Sequence, residues 1–237
     1  IINESFESWP PTDWSILPNS GTGAWVQNNG TYNTDDGNAG PGFVFDGEQA
    51  AMFSNYDFIP NTEGSMTTPS FDLSTLSVPY LSFQWWNNDA PLEPSLLKIS
   101  TSIDGVMFVE IDVIETTGCG ENFVEYHKVL DTDIVKIQIT AVSDFGFKNT
   151  YVDTFIIDEA PECIKPNDIN LVYTDGNSAT IDWTNGGIEE AWVLEYGLSG
   201  FSLGEGMSFN TDTHPYSIEN LETNTSYDVY VKSDCGE

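Results

Sequence analysis

The chain contains no arginine, and its six lysines face 38 acidic residues, which gives a formal net charge of −32. A surface that binds phosphates needs basic side chains to release counterions, so this balance excludes nucleic acid as a direct partner. The same shortage of cations disfavours attachment to anionic membranes. No apolar run approaches the roughly 20 residues of a membrane span, so direct membrane insertion is not expected.

Histidine and cysteine are almost as scarce, with two and three copies respectively. No cysteine or histidine spacing indicates a zinc site, and neither histidine stands beside a serine or cysteine motif typical of nucleophilic catalysis. Cys163 and Cys235 bracket the C-terminal part of the chain, which predicts one disulfide and leaves Cys119 as an odd thiol. A disulfide favours an extracellular or cell-surface location, and the lack of a visible signal peptide is expected of a processed, secreted chain.

Helical periodicity is also nearly absent. Short alternating runs rich in Val, Ile, Phe, Tyr and Thr recur between Gly, Pro, Asn and Asp, a pattern typical of an all-β sandwich or barrel. Residues 97–102 and 107–114 are expected to form a hairpin across Asp104 and Gly105. Residues 122–130 and 134–142 are expected to form a second pair.

Two prolines, Pro161 and Pro166, interrupt a short polar stretch after the last strand of the first half. Proline cannot donate a hydrogen bond to a sheet ladder and stiffens a linker. The sequence therefore predicts two domains, 1–159 and 160–237.

The second domain resembles a fibronectin type III module, a resemblance carried by the segments 179–183, 192–196 and 221–231. Trp183 corresponds to the core tryptophan of that family, and Leu221, Thr225 and Tyr227 to its tyrosine corner. The cysteines at the two ends resemble a variant found in secreted Bacteroidetes proteins. The resemblance implies a small sandwich whose last strand is missing from this chain.

The first domain resembles the MAM-like, cleaved-adhesin and choice-of-anchor group of jelly-roll domains. The matching segments follow in order at 5–14, 47–53, 68–74, 81–85, 99–105 and 151–158. The resemblance implies a jelly-roll sandwich of the carbohydrate-binding and adhesive kind. Such modules are typically joined to other domains of the same polypeptide in secreted peptidases, glycanases and adhesins, among them cargo of type IX secretion.

Calcium is the cofactor that this resemblance implies, in a structural role that ties the first and last strands together. It places the ligands at Glu7, Asp46 and Asp153, with Asn3 and Glu48 as additions. Calcium takes six to eight oxygen ligands, and a carboxylate at position 153, among apolar neighbours, would be costly to bury alone. The alternative is that these acids are exposed, as most of the 38 must be.

The pair Trp85-Trp86 suggests a ligand-binding surface, because neighbouring residues of one strand face opposite sides of a sheet. We expect Trp86 and Tyr80 to lie on the outer face, where an exposed ring can stack on a sugar and Asn88 can bind its hydroxyls. The alternative is that these rings belong to a second core or to an interdomain contact.

The segment 110–115 matches the E-x-D-x-x-E signature of retaining glycosidases, with Glu110 and Glu115 as its two glutamates. That catalytic sandwich needs more chain than this domain provides, so we predict no enzymatic activity. The sequence favours a non-catalytic binding or adhesion module for a polysaccharide or surface glycoprotein. The alternatives are a structural spacer without a ligand and, less favoured, a glycoside hydrolase.

Overall fold

The structure is a computed structural model that describes residues 1–18, 24–30, 40–54, 61–87, 95–115, 119, 122–143 and 149–236. Within these residues the regular elements are all strands, and no helix is long and apolar enough to cross a membrane. The chain divides into two compact units, Ile1–Glu159 and Ala160–Glu237, the same ranges as the two domains above. The predicted all-β fold class is therefore confirmed.

Unit 1 is a sandwich of two antiparallel sheets. Its strands are β1 (Ile2–Glu4), β2 (Ser15–Leu17), β3 (Trp25–Asn28), β4 (Ala50–Phe53), β5 (Glu63–Thr67), β6 (Pro79–Trp86), β7 (Leu96–Ser102), β8 (Val109–Glu115), β9 (Val124–Val129), β10 (Lys136–Val142) and β11 (Thr150–Glu159). Sheet I has the order β3-β4-β11-β6-β9, with β1 also beside β11, and sheet II has the order β2-β5-β10-β7-β8. The first and last strands of the unit therefore lie side by side.

The core of unit 1 fills the space between the two sheets, because each strand turns alternate residues inward. Twenty buried apolar side chains contribute to it among the described residues. Phe155 lies near its centre, with its ring centroid 5.1 Å from that of Trp14 and 6.1 Å from that of Phe83. A core of this size stabilises the fold by roughly 2 kcal/mol for each large side chain removed from water.

Strand β11 is buried on both of its faces. Val152, Phe155 and Ile157 point into the core, whereas Tyr151 points to the other side of sheet I. There Ala50, Trp86 and Tyr151 form a second buried cluster, which we call the outer aromatic layer. The partly buried side chains packed against it are those of Val44, Met52, Cys119 and Phe123.

One sequence-based expectation about strand pairing is wrong. The segments around β9 and β10 do not pair, because β9 joins β6 in sheet I and β10 lies between β5 and β7 in sheet II. The chain crosses between sheets at 131–133 instead of turning back as a hairpin. By contrast, β7 and β8 form the predicted hairpin across Asp104 and Gly105.

Unit 2 is a smaller sandwich of two three-stranded sheets. Its strands are β12 (Asn167–Thr174), β13 (Ser178–Thr184), β14 (Trp192–Leu198), β15 (Met207–Thr211), β16 (Tyr216–Glu219) and β17 (Tyr227–Ser233). The sheet orders are β12-β13-β16 and β15-β14-β17. The buried core consists of Ile181, Trp183, Trp192, Leu194 and Ile218.

Two further features close unit 2. Cys163 and Cys235 are joined by the predicted disulfide, with their Cα atoms 5.8 Å apart. The hydroxyl of Tyr227 accepts a hydrogen bond of 3.0 Å from the backbone N–H of Glu222. Cys119 in unit 1 carries a free thiol.

Candidate functional site

Trp86 and Tyr80 lie on the outer face of sheet I, but they are buried. Trp86 is only 3% exposed, and its ring packs edge-on against Tyr151 with 5.9 Å between centroids. Tyr80 is 8% exposed and stacks on His127. The expectation of an exposed stacking platform at these two residues is therefore wrong, because side chains that include Phe123 and Val44 pack over Trp86 and because Tyr80 lies against His127. Asn88 lies outside the described residues.

The exposed aromatic rings of this region belong to Phe43 and Phe45, at 44% and 50% exposure. Both rings pack edge-on against Phe123, at centroid distances of 5.9 and 6.0 Å. Phe123 in turn packs against the outer aromatic layer. We call these three residues the phenylalanine cluster. It places two solvent-facing rings on a partly buried one, Phe123, and the sequence alone did not predict this surface.

The segment that carries the two rings is fixed by close backbone packing. The N–H of Gly42 donates to the carbonyl of Gly30 at 2.8 Å. Gly30 has a φ of +72°, and a Cβ there would collide with the carbonyl oxygen of Phe43. Glycine at position 30 therefore permits the approach that brings the phenylalanine segment onto the sheet.

Asp153 anchors the same segment from below. Its Oδ2 accepts hydrogen bonds from the N–H groups of Phe45 at 2.9 Å and Asp46 at 3.1 Å, and its Oδ1 accepts one from Thr154 at 2.7 Å. The side chain is fully buried. Burial raises the pKa of this carboxyl, while the three N–H donors act in the opposite direction and the nearby charge of Asp46 adds to the rise.

A bulge in β11 puts Asp153 in this position. The register between β11 and β6 shifts between Asp153 and Ile156, and Thr154 has a φ of +47°. Val152 and Phe155 both face the core, so the two residues between them are free to turn outward. Strain at a non-glycine residue with positive φ is typical of sites where the chain is forced into a functional geometry.

Glu7 holds the other end of the loop. Its Oε1 accepts hydrogen bonds from the N–H groups of Glu48 at 2.9 Å and Gln49 at 3.0 Å. Gly47 has a φ of +67°, and a Cβ at this position would collide with that same Oε1. Two carboxylates that are distant in sequence, Glu7 and Asp153, therefore fix both ends of residues 45–49.

The five predicted calcium ligands are only partly assembled. Glu7 and Asp153 both contact the 45–49 loop, but Asp46 and Glu48 are exposed and contribute backbone N–H groups to these contacts. Asn3 is exposed on β1, opposite Ile156. Among the described residues, no three Asp, Glu, His or Cys side chains are grouped to hold a metal ion.

Two observations nevertheless fit a cation near Asp153. The carboxylate is buried, no lysine or histidine is among its partners in the described residues, and only one hydrogen bond reaches its Oδ1. The adjacent Thr154 Oγ1 is buried and has no hydrogen-bond partner in the described structure. Oxygen atoms of this kind are the ligands that calcium prefers. The calcium site remains a prediction.

Glu110 and Glu115 do not form a catalytic pair of the expected kind. Both are exposed on β8, an edge strand, opposite Ser100 and Leu96 of β7. Four positions along β7 correspond to about 13 Å between backbones, and neither glutamate lines the groove that adjoins this strand. Retaining hydrolysis needs carboxylates about 5–5.5 Å apart across a bound sugar.

Strand β8 also departs from the simple alternation expected for it. The register shifts at Ile99 and Ser100, so that Ile111 is an additional residue and the facing of the strand changes there. Simple alternation would turn Val109, Ile111 and Val113 to the same side, but Val109 and Val113 are 67% and 39% exposed, and Ile114 packs against the core together with Ile111.

No protein-family model and no curated protein sequence matches the chain. Among solved structures, the chain is similar to the K1 cleaved adhesin domain of Lys-gingipain from Porphyromonas gingivalis W83. The identity is 14% and the TM-score 0.52, over 68% of this chain and 98% of that one. The K2 cleaved adhesin domain of Lys-gingipain gives 10% identity and a TM-score of 0.50, over 67% and 98%.

A weaker similarity extends to the module TmCBM61, solved in complex with β-1,4-galactotriose, at 14% identity over 63% of this chain and 90% of that one. Its TM-score of 0.42 is too low to bear on function. The similarity to the two adhesin domains supports the jelly-roll fold of the first unit. The first unit therefore has the fold of a cleaved adhesin domain, and the chain as a whole is an all-β protein of two sandwiches.

Proposed function

We propose that the chain is a non-catalytic binding module whose first unit binds a polysaccharide, or the glycan of a surface glycoprotein, at the phenylalanine cluster. The observation that carries this proposal is the pair of exposed rings, Phe43 and Phe45, supported by the buried ring of Trp86 through Phe123. The flat apolar face of a sugar stacks on such rings, and neighbouring polar groups then fix its orientation.

The polar groups beside the rings suit a neutral ligand. Asp46 and Glu48 are exposed within the same loop and can accept hydrogen bonds from sugar hydroxyls. The net charge of −32 repels sulfated or uronic-acid glycans. We therefore expect a preference for neutral polysaccharides. The anchored ends of residues 45–49 keep the loop ordered before the ligand arrives, which lowers the entropic cost of binding.

We further propose that the chain acts outside the cell, at the cell surface or as part of a larger secreted protein that uses type IX secretion. The disulfide between Cys163 and Cys235 supports an oxidising location. The adhesin-like fold of the first unit is in keeping with this context. The other domains of that polypeptide would be the remaining partners.

A glycan array followed by affinity measurement tests the binding proposal. The double variant Phe43→Ala/Phe45→Ala is expected to bind its best neutral glycan at least tenfold more weakly, which corresponds to about 1.4 kcal/mol. The control is Tyr173→Ala, which removes another exposed ring, 60% exposed in the second unit. No glycan binding by the unmodified chain, or equal binding by the double variant, would contradict the proposal and favour a spacer role.

Calcium is proposed as a structural cofactor of the first unit, held by Asp153 and Glu7 with backbone oxygens. A ligand that binds only the folded state raises its stability, by about 2.7 kcal/mol at a hundred times its dissociation constant. Melting of the first unit is expected to shift upward in calcium and downward in chelator. Asp153→Asn should abolish the shift, and Asp158→Asn, at an exposed position of the same strand, should retain it. An unchanged melting midpoint in calcium and in chelator would contradict the calcium site.

A further inference from the structure

The tip of the β7–β8 hairpin exposes an unusual run of apolar side chains. Ile103, Val106, Met107 and Val109 are 65%, 77%, 70% and 67% exposed. Exposed apolar residues that cluster in this way, in a strongly charged protein, are typical of interaction sites. The hairpin turn itself is rigid, because Asp104 Oδ1 accepts hydrogen bonds of 2.8 Å from both Val106 and Met107.

The apolar tip continues into a groove of about 430 Å³ at the open side of the sandwich. The groove lies between β8, the edge strand of sheet II, and β9, the edge strand of sheet I, in the described part of the chain. Its apolar lining includes Ile103, Met107, Val109, Ile111, Leu130 and Ile134. No residue of the phenylalanine cluster takes part, so this surface is separate from the proposed glycan site.

Three carboxylates form the rim of the groove: Asp104, Asp131 and Asp133. The hydrogen bonds from Met107, Val106 and Ser102 lower the pKa of Asp104, so it stays ionised. The nearby Lys128 is paired with Asp112 at 3.1 Å. The rim is therefore negative beside an apolar floor.

The negative rim and the apolar floor together limit the kind of molecule that can bind in the groove. A second copy of the chain carries the same net charge of −32 and would be repelled. The lining also contains Thr101 and Lys128, but Lys128 is already paired with Asp112, so the groove offers few hydrogen-bond donors to a sugar. A protein segment that alternates apolar residues with lysine or arginine satisfies both parts of the surface, with its apolar side chains in the groove and its cations at the rim.

We propose that this groove, which we call the hairpin groove, is a docking site for an extended basic and apolar segment of another protein. The side chain of Met107 is well suited to the floor, because methionine is flexible and adapts to different apolar partners. The adjacent edges of β8 and β9 allow an extended segment to lie along the groove.

Fluorescence anisotropy with three labelled heptapeptides tests the proposal. The sequences are Lys-Ile-Lys-Leu-Lys-Val-Lys, Lys-Ser-Lys-Ser-Lys-Ser-Lys and Glu-Ile-Glu-Leu-Glu-Val-Glu. Only the first is expected to bind well, at least tenfold more tightly than the second, which has the same charge. Equal binding of the two lysine peptides would mean simple attraction to an acidic protein and would overturn the proposal.

Variants locate the binding. Met107→Asp is expected to weaken the first peptide at least tenfold, whereas Leu17→Asp, at a 60% exposed position on the opposite edge strand of sheet II, should change it less than twofold. The double variant Asp131→Asn/Asp133→Asn, at exposed positions, should weaken binding and flatten its salt dependence. Unchanged binding in both Met107→Asp and the double variant, or an equal loss in Leu17→Asp, contradicts the site.

Discussion

The two units obtain their stability in different ways. The central strand of unit 1, β11, is buried on both faces between a core of twenty apolar side chains and the outer aromatic layer. In unit 2, β12 is exposed along almost its whole length, and five buried residues form the core. Small domains with small cores depend on covalent or metal staples. The contrast indicates that unit 1 is stabilised by its two apolar layers and that unit 2 depends on its disulfide.

Removing the disulfide has the largest expected effect. Cys163 and Cys235 are 72 residues apart, and closing a loop of that length stabilises a fold by roughly 4 kcal/mol in the chain-entropy model. The variant Cys163→Ser/Cys235→Ser should therefore lower or abolish the melting transition of unit 2 while that of unit 1 stays in place. Calorimetry of both proteins measures this, and a shared loss in the two transitions would show that the units are not stabilised independently.

Asp153→Ala is expected to lower the free energy of unfolding of unit 1 by about 2–4 kcal/mol. It leaves the N–H groups of Phe45, Asp46 and Thr154 without their acceptor. Urea denaturation of unit 1 is the measurement. The control is Asp158→Ala, which removes a carboxylate from the same strand. Because the Asp158 side chain is 63% exposed, this change should lower the free energy of unfolding by less than about 0.5 kcal/mol. Equal effects of the two substitutions would mean that Asp153 does not anchor the loop.

A smaller effect, on the acid stability of unit 2, is expected from the substitution of Asp182. His214 Nδ1 lies 2.7 Å from Asp182 Oδ1, and this hydrogen bond lowers the pKa of the carboxyl. A carboxyl with a lowered pKa in the folded state stabilises it above its ordinary pKa of about 3.9, and the contribution is lost as the pH falls below that value. Asp182→Asn should therefore reduce the loss of stability of unit 2 between pH 5 and pH 2. An unaltered acid profile counts against the contact.

The last prediction concerns the chemical reactivity of the Cys119 thiol and not the stability of the fold. Burial raises the pKa of Cys119 to about 11, so little thiolate is present near neutral pH. Alkylation by iodoacetamide at pH 8 should be on the order of 100-fold slower in the folded chain than in urea. Mass spectrometry follows the reaction. Rapid labelling of the folded protein would mean that packing against the outer aromatic layer does not shield the thiol.

Local patterns in the sequence predicted the strands well and the facing of side chains less well. Alternation placed Leu81, Phe83 and Trp85 together in the core and Trp86 on the other side of β6. It could not reveal that Phe123 and the segment around Val44 cover Trp86, because those contacts join distant parts of the chain. The bulge at Ile111 likewise changes the facing of β8 without any local sign of it.

The candidate site was harder to predict for the same reason. Glu7 and Asp153 were identified through a family resemblance, but their hydrogen bonds to residues 45–49 depend on the tertiary fold. The only local indication of a shared ring surface was the spacing of Phe43 and Phe45, which are separated by a single residue. This spacing alone did not predict the surface, because Phe123, which packs against both rings, comes from a remote segment of the chain.

The most direct test of the glycan site is calorimetry of the whole chain with and without the neutral oligosaccharide that it binds best. Binding to the folded state raises the melting temperature of the unit that holds the ligand. The transition of unit 1 should rise and that of unit 2 should not, and the rise should disappear in Phe43→Ala/Phe45→Ala. A rise in unit 2 alone, or a rise in unit 1 that persists in the double variant, would contradict a glycan site at the phenylalanine cluster.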